Sequence, residues 1–225
     1  MTGQLEPCFD ILPPAQQRLW PELQPALDLG FVLYGGTALA LRLGHRPSID
    51  FDFFTEQPLN RKLIAKSFSF FSQSLVLQDE PNTLTLLVPY LEVDHAGVKV
   101  SFFGEIGFGR IAAPDLTVDG VMQVASSDDL MATKLKVILQ RAEAKDYKDI
   151  AAMVQAGISL AKGLSSAREV FGLAFQPSES LKALTYFGDG DLATLTTKEK
   201  NILLTAVKAV GELPNVTILS KVLRA

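Results

Sequence analysis

Several residue types and patterns are scarce in this chain, and each scarcity excludes something. A single cysteine, Cys8, among 225 residues excludes an internal disulfide and suits a reducing cytoplasm, where it reads as a small apolar filler. Two histidines, His45 and His95, are too few and too scattered for a zinc site, which typically takes about four nitrogen or sulfur ligands. Positive charge is not in excess: 21 Lys and Arg face 25 Asp and Glu, for a net charge of −4. That excludes a protein that coats nucleic acid with its whole surface, though not one that grips an RNA end through a local patch. No apolar run approaches the roughly 20 residues of a spanning helix, and the opening MTGQLEPCFDILPP has no basic-then-apolar leader. Internal repeats and low-complexity stretches are absent as well. The expectation is a cytoplasmic protein with no membrane partner.

What remains is an ordinary globular balance, 48% hydrophobic and 20% charged residues, in a chain long enough for one good core with a helical extension. The pattern predicts an α+β fold, a mixed β-sheet flanked by helices over residues 1–125 and a helical region over 126–225.

The most informative stretch is FVLYGGTALALRLGHRPSIDFDFF, residues 31–54. It reads as an apolar strand ending at Tyr34, a tight turn at Gly35 and Gly36, a helix opening at Thr37 and closed by Gly44, and a second strand. On that strand Asp50 and Asp52 share one face while Phe51 and Phe53 point into a core, because side chains alternate along a strand. Two neighbouring carboxylates repel unless they are solvated or bridged, and a hard cation with oxygen ligands, most naturally Mg²⁺, fits them. A glycine turn at a helix N-terminus offers free N–H groups and the positive end of the helix dipole to phosphate. Each half alone is common turn or surface chemistry. Together, about twenty residues apart, they point to nucleotide chemistry.

The run GGTALALRLGHRPSIDFDFF resembles the signature of the AbiEii/AbiGii-type nucleotidyltransferases, a branch of the DNA polymerase β-like superfamily that includes toxins of toxin–antitoxin and phage-abortive systems. The resemblance covers about residues 10–155. It implies a nucleotidyltransferase-like fold, an NTP substrate, Mg²⁺ as one or two ions on Asp50 and Asp52, and phosphate contacts from Gly35, Gly36 and Thr37. Arg46 and Lys99 are further candidates for binding the nucleotide. The resemblance further implies an acceptor that is an RNA end such as a tRNA 3′ end, or a protein, and a cognate antitoxin.

Further along, Pro21 and Pro25 interrupt a helix over 13–30 that buries Trp20, Leu23 and Leu27. RKLIAKSFSFFSQ predicts an amphipathic helix with Leu63, Ile64, Phe68 and Phe71 inward, and strands follow over 75–79, 83–88 and 98–103. The last of these departs from the relatives. They commonly carry a third carboxylate on the strand beside the D-x-D strand, whereas this chain offers Ser101, with Lys99 two residues earlier and Glu92 and Asp94 before a turn. Three alternatives follow: a base supplied from elsewhere, a reaction that rests on metal and positioning, or reduced activity. Lys99 is suited to a phosphate or to a carboxylate of the Asp pair. Asp119-Gly120 predicts a two-residue hairpin turn.

The stretch SSDDLMATKLKVILQRAEAKDYKDIAAMVQAG reads as one helix capped by Ser126. At about 100° per residue, Lys134, Arg141 and Lys145 share an azimuth, with Leu135 and Leu139 facing the sheet. On spacing alone this is a solvated face as readily as a phosphate clamp. The relatives carry K…R…(K/R)D…D here, and Lys134, Arg141, Lys145, Asp146 and Asp149 match it. The resemblance thus gives Lys134 a catalytic role beside Asp50 and Asp52, and Arg141, Lys145 and Asp149 a nucleotide-binding one. Asp149 either pairs with Lys145 or orients it, and Asp146 supports the fold. The loop FGDGDL lacks the other ligands of a calcium loop, and a final helix starts at Thr196 or Thr197. Two functions stand side by side: a nucleotidyltransferase acting as a toxin, and a catalytically impaired nucleotide-binding module of the same fold, motivated by Ser101.

Overall fold

The computed structural model describes residues 3–90 and 97–223, so Glu92, Asp94 and His95 lie outside the described residues. The chain divides into two units. The first comprises Met1–Gly107, Ala113–Ala125 and Val222–Ala225, and the second Phe108–Ala112 and Ser126–Lys221.

The first unit is built on an eight-stranded mixed sheet. Its strands are β1 (Gln4–Leu5), β2 (Val32–Tyr34), β3 (Asp50–Phe54), β4 (Leu75–Glu80), β5 (Thr83–Pro89), β6 (Gly97–Phe103), β7 (Asp115–Thr117) and β8 (Gln123–Val124), in the order β1-β7-β8-β2-β3-β6-β5-β4. β3 runs antiparallel to β2 and parallel to β6. Strand β2, VLY, is buried along its whole length, as expected of a short apolar run covered on both faces.

Period-two alternation sorts β3 cleanly. Phe51 and Phe53 are fully buried, and Phe53 stacks on Phe102 of β6 at 5.7 Å while Phe31 and Phe68 close on Phe102 at 5.2 and 5.0 Å. Such aromatic clusters add offset-stacking energy to their area burial. The alternate residues of β3 leave Asp50 and Asp52 on the opposite face.

Helices α1 (Pro14–Leu19) and α2 (Pro25–Asp28) flank a 3₁₀ turn over Trp20–Leu23, so the prolines cut the N-terminal helix as expected. Trp20 is buried and donates its indole N–H to Asp119 at 2.7 Å. Asp119 sits in a five-residue loop between β7 and β8, longer than the two-residue turn expected, with Gly120 at φ 73°. The stretch after β3 is shorter in helix than its pattern suggests: α4 (Arg61–Ser67) yields to a 3₁₀ turn at Ser69–Gln73. Ile64 and Phe68 point inward, but Leu63 is exposed. Cys8 is exposed rather than a core filler.

The second unit is helical: α5 (Ser127–Val137), α6 (Ala144–Gln155), α7 (Leu160–Phe171), α8 (Pro177–Ala183) and α9 (Thr197–Lys208). Ser126 caps α5 by accepting from the Asp129 N–H, and Thr196 with Glu199 forms a capping box on α9. The expected single helix over 126–157 is in fact two, α5 and α6, separated by a turn over 138–143. A later loop holds that turn in place. Asp191 accepts from the Ala144 N–H at 2.6 Å, capping α6 from 47 residues away, and a β-carbon at Gly190 would lie 2.0 Å from the Ala142 carbonyl oxygen. Among the described residues no helix is long and apolar enough to cross a membrane.

Candidate active site

The loop from β2 leads straight into α3 (Gly35–Leu43), which opens at Gly35 and not at Thr37. Gly35 has φ 73°, a left-handed conformation that costs a side-chain-bearing residue about 1–3 kcal/mol. The glycine is needed for space as well: a β-carbon there would lie 2.5 Å from Asp52 Oδ2. At Gly36 it would meet Ser48 Oγ at 2.9 Å and an Arg46 guanidinium nitrogen at 3.0 Å. The glycine pair therefore brings bare backbone against a carboxylate of the Asp pair and against Arg46. Gly44 ends the helix at φ 59°, donating its N–H to Ala40.

Thr37 is fully buried, and its hydroxyl donates to the Asp50 backbone carbonyl. It thus ties the start of α3 to the start of β3, and the Thr37 hydroxyl is engaged with backbone. Ser48, beside Gly36, has no signal in the sequence, since a serine in a loop before a strand is ordinary.

Across the sheet, Asp50 stands in register with Lys99, and Asp52 with Ser101 and Tyr34. The Lys99 ammonium lies 2.9 Å from Asp50 Oδ2, both side chains being about a third exposed at 40% and 32%. Of the two partners open to Lys99, the carboxylate is the one it takes here. Ser101 is buried and accepts from Thr85 of β5 at 3.3 Å. Neither β2 nor β6, the strands flanking β3, contributes an acid. Among the described residues no group of three or more His, Cys, Asp or Glu side chains gathers as a metal site.

The donor set nonetheless suits a small hard cation. Mg²⁺ is commonly held by one or two carboxylates, with water and substrate phosphates completing its shell. Asp50 and Asp52 supply the carboxylates, and the missing β-carbon at 35 leaves Asp52 room. Gly35→Ala is expected to cost about 1–3 kcal/mol in backbone strain and to push Asp52 aside. Thermal unfolding and nucleotide transfer, measured on the same preparation, should both fall.

In the second unit, the residues read as one cationic stripe separate. Lys134 on α5 is turned inward, 7% exposed, with its ammonium 2.7 Å from both Asp146 Oδ1 and Asp149 Oδ2, two carboxylates that are 0% exposed. Arg141, from the turn, donates to Asp146 Oδ2 at 2.9 Å and is 46% exposed. Lys145 is 51% exposed and pairs with Glu143 at 2.7 Å. Asp149 therefore answers to Lys134 and not to Lys145, and the shared azimuth dissolves because the helix breaks between Lys134 and Arg141. Asp146 supports the fold as the hub of this network.

Burial pushes the Asp146 carboxyl up, but Lys134 and Arg141 pull it further down, so it lies below its ordinary value of 3.8. A carboxylate depressed in the folded state contributes stability that is whole above its unfolded value and disappears as pH falls through its folded one. Denaturation midpoints recorded between pH 5 and 2 should decline more steeply for the natural chain than for Asp146→Asn, with the extra decline confined below about pH 4. Asp129, held by Ser126 and by the N–H groups of Ile111 and Ala112, is raised by burial.

A family model described as nucleotidyl transferase AbiEii toxin, Type IV TA system, matches residues 18–199. An uncharacterized protein of Aquifex aeolicus (strain VF5) is 34% identical over 134 residues, covering 57% of this chain and 61% of that protein. The chain thus spans under two thirds of that relative's length. Among solved structures, the nucleotidyltransferase toxin MenT4 of Mycobacterium tuberculosis H37Rv matches with a TM-score of 0.53 at 16% identity, over 85% of this chain and 82% of that one. At that identity the likeness speaks for the fold.

Proposed function

Since the chain belongs to the AbiEii nucleotidyl transferase toxin family, we propose that it is a Mg²⁺-dependent nucleotidyltransferase. It moves a nucleoside monophosphate from an NTP to an acceptor hydroxyl and releases pyrophosphate. The observation that carries this reading is the close fit of Gly35 to Asp52, which supports a phosphate seat at the turn beside a carboxylate for the metal.

Each residue then has a task. Asp50 and Asp52 hold the divalent cation, which when bound neutralises phosphate charge and helps to activate the attacking oxygen. Gly35 and Gly36 present backbone N–H groups to the phosphates, and Thr37 fixes the turn through the Asp50 carbonyl. Arg46 lies against Gly36 and meets the same phosphates. Arg141 and Lys145, whose side chains reach solvent, counter triphosphate or pyrophosphate charge. Lys134 and Asp149 act behind them by fixing Asp146, the partner of Arg141.

The acceptor is an RNA end, such as a tRNA 3′ end, or a protein hydroxyl, and the biological role is that of a toxin held by a cognate antitoxin. The test is to incubate the protein with each α-³²P-labelled NTP, Mg²⁺ and total tRNA or total protein, and to look for label on the macromolecule. Label on RNA or protein that requires Mg²⁺ supports the reading. Ser101, in register with Asp52, favours a second reading, a nucleotide-binding module with little turnover. Saturable NTP binding with no labelled acceptor under any of these conditions would select it.

A further inference from the structure

Helix α6 starts in an uncommon way. A helix leaves its first backbone N–H groups without internal partners, and the side chain at the N-cap position ordinarily takes one of them. Here that position is Glu143, and it makes no capping hydrogen bond. Its carboxylate is engaged by two exposed cations instead: one oxygen lies 2.7 Å from the Lys145 ammonium and the other 3.5 Å from Arg141 Nε. The cap comes from Asp191, whose Oδ1 accepts from the Ala144 N–H at 2.6 Å. Capping and the holding of two cations would compete for one carboxylate, and the remote aspartate removes the competition.

The loop that brings Asp191 there is closely fitted. A β-carbon on Gly190 would lie 2.0 Å from the Ala142 carbonyl oxygen, so only glycine fits at 190. The Thr194 hydroxyl donates to the Asp191 carbonyl at 2.6 Å, and Leu192 is buried. Nearer its start, the loop sets the Phe187 ring edge-on to the buried Tyr147, with 6.5 Å between ring centroids. Contacts at 142, 144 and 147 thus enclose the positions that carry Glu143, Lys145 and Asp146, with Arg141 next to the first of them.

We infer that Gly190 and Asp191 are positioning residues for nucleotide binding: they cap α6 from a distance, fix the turn over 138–143, and leave Glu143 to hold Arg141 and Lys145 side by side for the triphosphate. Asp191 itself touches no nucleotide and acts through these two cations. Without it, the open N–H groups of the first turn of α6 would draw on Glu143 and release the pair. This rests on the nucleotidyltransferase reading and deepens it, since it extends the nucleotide-binding machinery to a loop 47 residues past the start of α6.

The test sets affinity against stoichiometry. Binding of non-transferable α,β-methylene analogues of the four NTPs, with Mg²⁺ present, is measured by titration calorimetry. Asp191→Ala is expected to weaken binding about tenfold or more, the scale of one hydrogen bond to a charged group, with the number of sites per chain unchanged. Asp191→Asn, which keeps an oxygen acceptor in place, is expected to bind like the natural chain. In an Arg141→Gln chain, adding Asp191→Ala should weaken binding by a smaller factor, because the two act through one turn. Where Asp191→Ala folds poorly, Asp191→Glu, whose extra methylene displaces the acceptor, carries the same expectation. Natural affinity in Asp191→Ala, or fewer sites at unchanged affinity, overturns the inference. So does an Asp191→Asn chain that binds no better than Asp191→Ala, or equal weakening in the natural and Arg141→Gln chains. No analogue bound by the natural chain overturns the nucleotidyltransferase reading itself.

Discussion

Asp52→Ala is expected to cut labelled transfer by about 10²–10³-fold, the scale of losing one electrostatic stabiliser from an active site. The reason is local. Asp52 is the carboxylate nearest Gly35, closer to the phosphate turn than any side chain-bearing residue at 35 would allow. On the proposed reading, truncating it removes one of the two carboxylates assigned to the cation while leaving the Phe51–Phe53 side of β3 untouched, so thermal stability should fall far less than transfer does. NTP binding measured without metal should survive, because the backbone N–H groups of the turn are unchanged. Activity equal to that of the natural chain would remove Asp52 from the mechanism.

The largest effect on stability is expected at Lys134. Its ammonium is the shared partner of two fully buried carboxylates. Lys134→Met keeps the stem's packing but takes the shared ammonium from both acids, leaving Arg141 on Asp146; breaking a buried pair from one side costs about 3–5 kcal/mol. Urea unfolding followed in the helical unit should shift by that amount. Adding Asp146→Asn and Asp149→Asn to Lys134→Met should recover part of it, since the buried negative charges are then gone. If Lys134→Met left the unfolding midpoint unchanged, Lys134 would not be the keystone of this cluster, and a direct part in catalysis would become the better account of it.

Much of the first unit's site was legible because strand alternation is a short-range rule. Placing Asp50 and Asp52 opposite Phe51 and Phe53 needs only a period of two, and setting Ser101 beside the pair needs only one neighbouring strand. The contacts that shape the site are less visible. Nothing local marks Ser48 or Arg46 as lying against Gly36, and the Thr37 hydroxyl looked free for phosphate because its acceptor is a backbone carbonyl 13 residues away.

The helical unit shows the opposite case. Leu135 and Leu139 continue a helical period across residues 138–143 with no proline or glycine to announce a break. The break is imposed from afar, by Asp191 capping Ala144 and by Gly190 lying against Ala142. Tertiary contacts of that length override local propensity, and with the break went the alignment of Lys134, Arg141 and Lys145. The GDGD run lacked a calcium signature, and its last aspartate turns out to be a remote helix cap.

The two units also trade pieces of chain. Residues 108–112 leave the sheet unit in mid-sequence to join the helical one, where Asp129 accepts from the Ile111 and Ala112 N–H groups and Arg110 exchanges backbone bonds with Ser220. A gene cut after Ala125 therefore yields no clean halves. The N-terminal fragment carries a five-residue strap whose partners are gone, and the C-terminal fragment begins with an Asp129 carboxylate that has lost the Ile111 and Ala112 N–H donors and keeps only Ser126 of the three.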